Sequence, residues 1–188
     1  MAPSVILLIS GKRKCGKDHL CEILSQRLRG SCVLHLSEPI KAEYARLNEL
    51  NFEELMSSAG YKEHHRAEMI AWSERIRNEN PEIFCRAAIK MKNADKYPIW
   101  LVADCRRHTD LHFFSQHYSE TSKIVQVRLT CPNDVRQKRG WSFVAGVDDA
   151  DSECQLDDVS HWDYIIPTDN NDVFCAIVDR LVSEIIAA

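Results

Sequence analysis

Ser4-Val-Ile-Leu-Leu-Ile-Ser10, followed at once by Gly11-Lys-Arg-Lys-Cys-Gly16-Lys17-Asp18, decides the fold of this chain. The apolar run is far shorter than the about 20 residues of a membrane-spanning helix, and a glycine closes it. It reads as a buried strand running into a phosphate-binding loop, with a helix starting near Lys17. The spacing from Gly11 to Gly16-Lys17 has a physical cause. Glycines permit backbone angles that a side chain forbids, so successive N–H groups can turn inward around an anion, and the helix start adds its positive end. Lys17 is then placed to reach the β- and γ-phosphates of a nucleotide. Lys12, Arg13 and Lys14 put three more cations inside the loop, where a merely structural strand–helix turn has no use for them. The motif normally continues with Ser or Thr, whose hydroxyl ligates Mg²⁺. Here the residue is Asp18, which can hold a metal or cap the helix, and the spacing leaves both roles open.

Composition narrows the setting of this loop. With 188 residues and no Pro/Gly/Ser-rich linker, one domain with a sizeable core is expected. The net charge of −4 and a pI near 6.1 give no global basic field toward nucleic acid or an anionic membrane, so positive charge must act locally. Eight cysteines are scattered without a C-x-x-C pair, and no secretory h-region precedes them, so reduced thiols are expected. The last residues, Glu184-Ile-Ile-Ala-Ala188, carry neither an S-K-L address nor a prenylation cysteine. Cytosol is the expected location, and a monomer the expected form.

Downstream, strands and helices alternate. His19 to Arg29 carries Leu20, Ile23, Leu24 and Leu28 at helical spacing before Gly30. Cys32 to Leu36 reads as a second strand, Ser37-Glu-Pro39 as a turn, and Ile40 to about Leu50 as a helix. Such alternation predicts a parallel sheet with helices on both faces, because parallel strands need a crossover. Residues 51–93 are polar and helical. Over Tyr61 to Arg77, Met69, Trp72 and Ile76 form an apolar stripe, and Lys62, Arg66 and Arg77 fall within about 60° of one another on a helical wheel. That basic stripe suits an anionic acceptor; a solvated face paired with Glu63 and Glu74 is the plainer alternative. After Asn80-Pro81 a further helix carries Arg86.

Pro98-Ile-Trp-Leu-Val-Ala-Asp104 is a buried strand ending in an acid, and Arg106 and Arg107 follow. An aspartate at the carboxyl end of a strand beside a phosphate loop orients Mg²⁺, and the arginines suit an anion. Thr109 to Tyr118 reads as a helix. His108 and His112, like His64 and His65, lack a third ligand in register and are expected at the surface. Lys123 to Thr130 alternates into a strand, and Cys131-Pro132-Asn133 opens a helix carrying Arg136 and Arg139. Gly140 to Asp158 holds two glycines and six acids with little periodicity, which reads as a mobile lid, with Arg136 and Arg139 at its base facing the transferring phosphoryl group. Trp162 to Pro167 is a fifth strand. The last helix repeats apolar residues from Val173 to Ile186.

Together, Gly11 to Asp18, Trp100-Leu-Val-Ala-Asp-Cys-Arg-Arg107, Arg139-Gly-Trp141, Gly146-Val-Asp-Asp-Ala150 and Ser152-Glu-Cys154 resemble the animal-type phosphomevalonate kinases. The resemblance runs from near residue 5 to about 166, and aspartate after the loop lysine is usual in that family. It implies an α/β fold like that of the nucleoside monophosphate kinases: a P-loop three-layer α/β/α arrangement with a five-stranded parallel sheet and a lid. The helical region at about 37–93 would bind the acceptor, and residues from about 136 to 158 would form the lid. The implied reaction takes ATP, with Mg²⁺, and mevalonate 5-phosphate to ADP and mevalonate 5-diphosphate in isoprenoid and sterol synthesis. No catalytic base is needed, because the acceptor is already a phosphate with a second pKa near ~6, so alignment and charge neutralisation carry the chemistry.

On this reading Gly11, Lys12, Arg13, Lys14, Cys15, Gly16, Lys17 and Asp18, with Arg139 and Asn171, bind ATP. Asp18 and Asp104 position Mg²⁺. Lys41, Lys62, Arg66, Arg77, Arg86, Arg106, Arg107 and Asn170 bind the acceptor, and Lys17, Asp18, Arg106, Arg107, Arg136 and Arg139 carry the catalysis. A nucleoside monophosphate kinase or other small-metabolite kinase would share the loop and lid. A guanine-nucleotide switch would show D-x-x-G and N-K-x-D, and neither occurs.

Overall fold

The computed structural model describes residues 2–57 and 59–187. The chain runs β1 (Val5–Ser10), α1 (Lys17–Arg27), β2 (Ser31–His35), α2 (Ser37–Leu47), α3 (Phe52–Ser57), α4 (Ala59–Glu79), α5 (Ile83–Lys92), β3 (Ile99–Cys105), α6 (His108–Tyr118), β4 (Lys123–Thr130), α7 (Asn133–Lys138), α8 (Asp151–Cys154), β5 (Tyr164–Pro167) and α9 (Asn171–Ile186). Short 3₁₀ turns occupy Ala94–Lys96 and Gln155–Asp158. The strands form one five-stranded sheet in the order β2-β3-β1-β4-β5, with every pairing parallel.

All six residues of β1 are buried, because this strand is central and covered on both faces. Alternation along it feeds two cores. Val5, Leu7 and Ile9 pack with Leu20, Leu24 and Leu28 on the α1 side and with Phe174, Val178, Leu181 and Ile185 of α9. Ile6 and Leu8 pack on the other face with Trp100, Val102, the α5 residues Cys85, Ala88 and Ile89, and the α6 residues Phe113 and Phe114. The chain therefore leaves β1 toward one face and the neighbouring β3 toward the other. A crevice opens between such strands at their carboxyl ends, and the phosphate loop and the Asp104–Arg107 turn are its two lips.

Three expectations need correction. The predicted turn at Ser37–Pro39 is the first turn of α2, where proline's missing N–H has no helical partner to lose. The segment expected to be a structureless lid folds into α8 and a 3₁₀ turn, and it buries Trp141, Val147, Asp148, Glu153 and Leu156. Val173 and Ile186 of the last apolar repeat are 41% and 70% exposed, so the buried stripe of α9 is narrower than its sequence pattern. Among the described residues no helix is long and apolar enough to cross a membrane, and all eight cysteines are free thiols.

Asp110 ties α4 to the end of β3. Fully buried, it accepts the N–H groups of Arg106 and Arg107 at 3.0 and 3.1 Å and the Arg77 guanidinium at 2.8 Å. Arg77 also lies over the Phe84 ring, 5.0 Å from its centroid. Asp110→Ala would leave a buried guanidinium and two amides without their acceptor. It is expected to lower the urea unfolding free energy by about 3–5 kcal/mol, and Arg77→Met together with Asp110→Leu should recover part of that loss. A single-mutant cost under about 1 kcal/mol would show the pair to be dispensable.

Candidate active site

The loop is shaped by its glycines. Gly11 (φ +153°) sits so close to β4 that an added Cβ would lie 3.1 Å from both the Cβ and the carbonyl oxygen of Leu129. Gly16 (φ +95°) caps α1 in the left-handed region. The turn between them directs Lys17 back across the loop, where its ammonium donates to Gly11 O at 2.7 Å and Lys12 O at 3.1 Å. Two of its three N–H bonds are thus committed, and one remains for an incoming oxygen. Burial, and next the charge of Arg106, pull the Lys17 pKa down to about 8, against the opposing pull of Asp104.

Across the crevice, Asp104 takes a left-handed backbone conformation (φ +63°) where the β1–β3 register slips between Leu8 and Ser10. Burial disfavours its charge. The neighbouring His35 and the Arg106 and Lys17 cations more than offset this and hold the carboxyl well below the usual carboxylate range. Asp18, exposed in the first turn of α1, adds its negative charge beside Lys17, His35 and Lys41. Mg²⁺ is commonly held by one or two carboxylates together with phosphate oxygens and water. The pair Asp18 and Asp104 fits that pattern, whereas no cluster of three or more His, Cys, Asp or Glu able to hold a metal occurs among the described residues.

A second group of cations lies across the crevice around Lys41 and Arg106. Burial lowers the basicity of Lys41 and of Arg106, and nearby cations lower it further: Lys62 and Arg66 for Lys41, Arg66 and Arg13 for Arg106. Five positive groups from the loop, α2, α4 and the β3 end therefore converge. Glu63 partly neutralises them, accepting from Arg66 at 2.7 and 2.9 Å and lying 3.7 Å from Arg13.

Other expected acceptor residues lie elsewhere. Arg77 is taken up by Asp110, and Arg107 is buried in an ion pair with Glu74 of α4, so both brace the helices behind the site. Arg86 is held by Glu82 and packs 5.3 Å over the Phe113 ring, and no described contact joins it to the cluster. Asn170 caps α9, accepting the N–H groups of Asp172 and Val173.

The segment 141–158 lies on the loop through its acids. Glu153 accepts the Arg13 N–H at 3.0 Å and pairs with Arg106. Asp148 lies 3.5 Å from the Arg13 guanidinium and accepts the Trp141 indole N–H at 2.8 Å. Asp157 pairs with Lys12 and with Arg128. Arg136, 3.9 Å over the Trp141 ring, donates to Arg13 O at 2.8 Å and so grips the loop backbone. Arg139 reaches Lys14 O and Thr168 Oγ1, at 3.4 and 3.0 Å. It lines a cleft of about 410 Å³ together with Gly16, His19, Thr168, Asp169, Asn171 and Phe174. The Lys14 side chain is exposed, and Cys15 is buried beneath the loop.

The sequence of a family described as phosphomevalonate kinase matches residues 9–120. A Drosophila melanogaster protein named phosphomevalonate kinase is 40% identical over 182 residues, covering 94% of this chain and 96% of that one. The chain belongs to the phosphomevalonate kinase family. Its fold is also that of more distant proteins. The crystal structure of TT1252 from Thermus thermophilus superposes with a TM-score of 0.53 at 15% identity over 98% of this chain and 97% of that one. The Deinococcus radiodurans tunicamycin resistance protein gives 0.53 at 16% identity over 97% and 95%. At such low identity these two speak to the fold alone.

With its pKa pulled down to about 8, Lys17 is expected to make phosphate binding by this kinase pH-dependent. Its native pKa lies below the free-lysine value of about 10.4, so between about 8 and 10.4 the folded chain binds fewer protons than the unfolded one. The ammonium's burial thus opposes folding most at and below pH 8 and ceases to do so as pH rises through that interval. A bound phosphate favours the charged form. Metal-free ADP binding at pH 9 is therefore expected to take up close to one proton, read by calorimetry in buffers of different ionisation enthalpy, and to weaken about tenfold per pH unit above 8. Lys17→Met should abolish both effects; proton uptake that survives this substitution would remove Lys17 from the phosphate site.

Proposed function

We infer that this chain is an ATP-dependent kinase that transfers the γ-phosphoryl group to mevalonate 5-phosphate, giving ADP and mevalonate 5-diphosphate in isoprenoid and sterol synthesis. The observation that carries the chemistry is the grouping of Lys41, Lys62, Arg66 and Arg106 opposite a phosphate loop that adds Arg13. Neighbouring cations in a crevice favour a ligand of high negative charge, and mevalonate 5-phosphate carries a carboxylate at one end and a phosphate at the other.

In this reading the amides of residues 12–17 and the Lys17 ammonium hold the triphosphate, as oriented N–H groups and a helix start do for anions. Adenine enters the cleft between Arg139, Asn171 and Phe174. Asp18 and Asp104 hold Mg²⁺, which supplies neutralisation of the β- and γ-phosphate charge when bound. The acceptor phosphate is itself the nucleophile, so the residues align it and steady the charge on the moving group instead of removing a proton. Arg106 is placed for this task between the Lys17 side of the crevice and the Arg66 side. The Arg139 side chain spans the loop carbonyl of Lys14 and Thr168, linking lid base to nucleotide cleft. Helices over residues 37–93 form the acceptor region and residues 136–158 the lid of one domain. We read the working unit as a cytosolic monomer, since one chain supplies both walls of the crevice and its thiols are free.

Coupled ADP formation, with mevalonate 5-phosphate, AMP, CMP and UMP offered side by side, tests the reading. Turnover is expected only with mevalonate 5-phosphate, with kcat/KM lowered about 10³-fold by Lys17→Met and about 100-fold or more by Arg106→Met. Comparable turnover of a nucleoside monophosphate would keep the fold and overturn the substrate.

A further inference from the structure

Ser37 takes no part in the scheme above, yet it joins the two walls of the crevice. β2 ends at His35, paired with Ala103, so the chain that leaves β2 passes beside the end of β3. Ser37, the first residue of α2, thereby meets Asp104, and its Oγ donates to Asp104 Oδ2 at 2.9 Å. One helical turn on, Lys41 lies on the same face and its Nζ donates to the same Ser37 Oγ at 3.2 Å. A hydroxyl carries one proton and two lone pairs, so ammonium, hydroxyl and carboxylate join with one consistent polarity.

The carboxylate's charged neighbours stand farther off. His35 Nδ1 lies 3.7 Å from Oδ2 and Arg106 Nη2 lies 3.7 Å from Oδ1, beyond hydrogen-bond length. Asp104 also holds a left-handed backbone conformation, which persists in a non-glycine residue only where its surroundings fix it. The shortest such tie is the Ser37 hydroxyl.

We propose that Ser37 is a positioning residue that holds the Asp104 carboxylate and the Lys41 ammonium one hydroxyl apart, keeping the nucleotide wall and the acceptor wall in register. Without the spacer, opposite charges this close close up into a direct ion pair. Lys41 is then drawn from the acceptor, and Asp104 loses the negative charge it offers a cation. The assignment of ligands to the walls rests on the phosphomevalonate kinase reading.

Calorimetry on wild type, Ser37→Ala and Ser37→Thr tests it without turnover. Two quantities are read: mevalonate 5-phosphate affinity of enzyme saturated with a non-hydrolysable ATP analogue, and ADP affinity with and without Mg²⁺. Ser37→Ala is expected to weaken acceptor binding about 10-fold or more and to shrink the Mg²⁺ enhancement of ADP binding by a similar factor. Metal-free ADP binding should stay within about twofold, and Ser37→Thr, which keeps the hydroxyl, should restore both losses. Unchanged acceptor affinity and Mg²⁺ enhancement in Ser37→Ala would overturn the proposal. So would a uniform loss of all three affinities that threonine does not rescue, since that is the mark of a structural role. Failure of wild type to bind mevalonate 5-phosphate would overturn the substrate reading first, and this proposal with it.

Discussion

An ammonium buried at the carboxyl end of β1 is the constraint on which the surroundings depend. Lys17 is 6% exposed and bonded to two loop carbonyls, and it lies close enough to Arg106 for the two charges to repel. Removing a cation from water is costly unless partners replace the solvent. The nearby fold therefore supplies acids: Asp104 and Asp18 toward Lys17, Glu153 toward Arg106, Asp148 toward Arg13, and Asp157 toward Lys12. Positive charge is concentrated where a polyanion belongs, and negative charge is distributed so that the fold tolerates it.

Most of that compensating charge comes from one short segment. Three of its carboxylates reach the loop through contacts that span about 135 to 145 residues of sequence, such as Lys12 to Asp157 and the Arg13 N–H to Glu153, and Glu153 also pairs with Arg106. The segment follows α7, whose Arg136 stacks on Trp141. These contacts are charge-based, and two of the acids, Asp148 and Glu153, are buried together with Trp141, Val147 and Leu156 of the same segment.

Behind the crevice the tolerance is different. Arg77, Arg107, Asp110 and Glu74 form ion pairs in a largely dry layer between α4, α6 and β3, where moving one member leaves another unpaired. That layer fixes α4, and with it Lys62 and Arg66, relative to Arg106. Buried charge therefore sets the geometry behind the crevice, and Arg136, Asp148 and Glu153 are buried on the opposite side as well.

The sequence by itself determined the strand–loop–helix at residues 4–27, the alternation that forces a parallel sheet, and the loop lysine with its added cations. It did so because these rest on local periodicity and on glycine's backbone freedom, both visible within about ten residues. Asp104 was legible for the same reason, as an acid closing a buried run. Which arginines meet was not. Arg66, Arg77, Arg86, Arg106 and Arg107 look alike in sequence, and only the packing of α4 and α5 against α6 separates the two that face the crevice from three that brace or decorate the helices. The six acids of residues 140–158 were countable, but the loop residues that Asp148, Glu153 and Asp157 meet lie more than a hundred residues away. Ser37 read as a turn residue until β2 and β3, neighbours in the sheet though 63 residues apart, put its hydroxyl against Asp104. Pairings of this kind depend on sheet order and helix placement, which follow from burying both faces of β1 and from no local pattern.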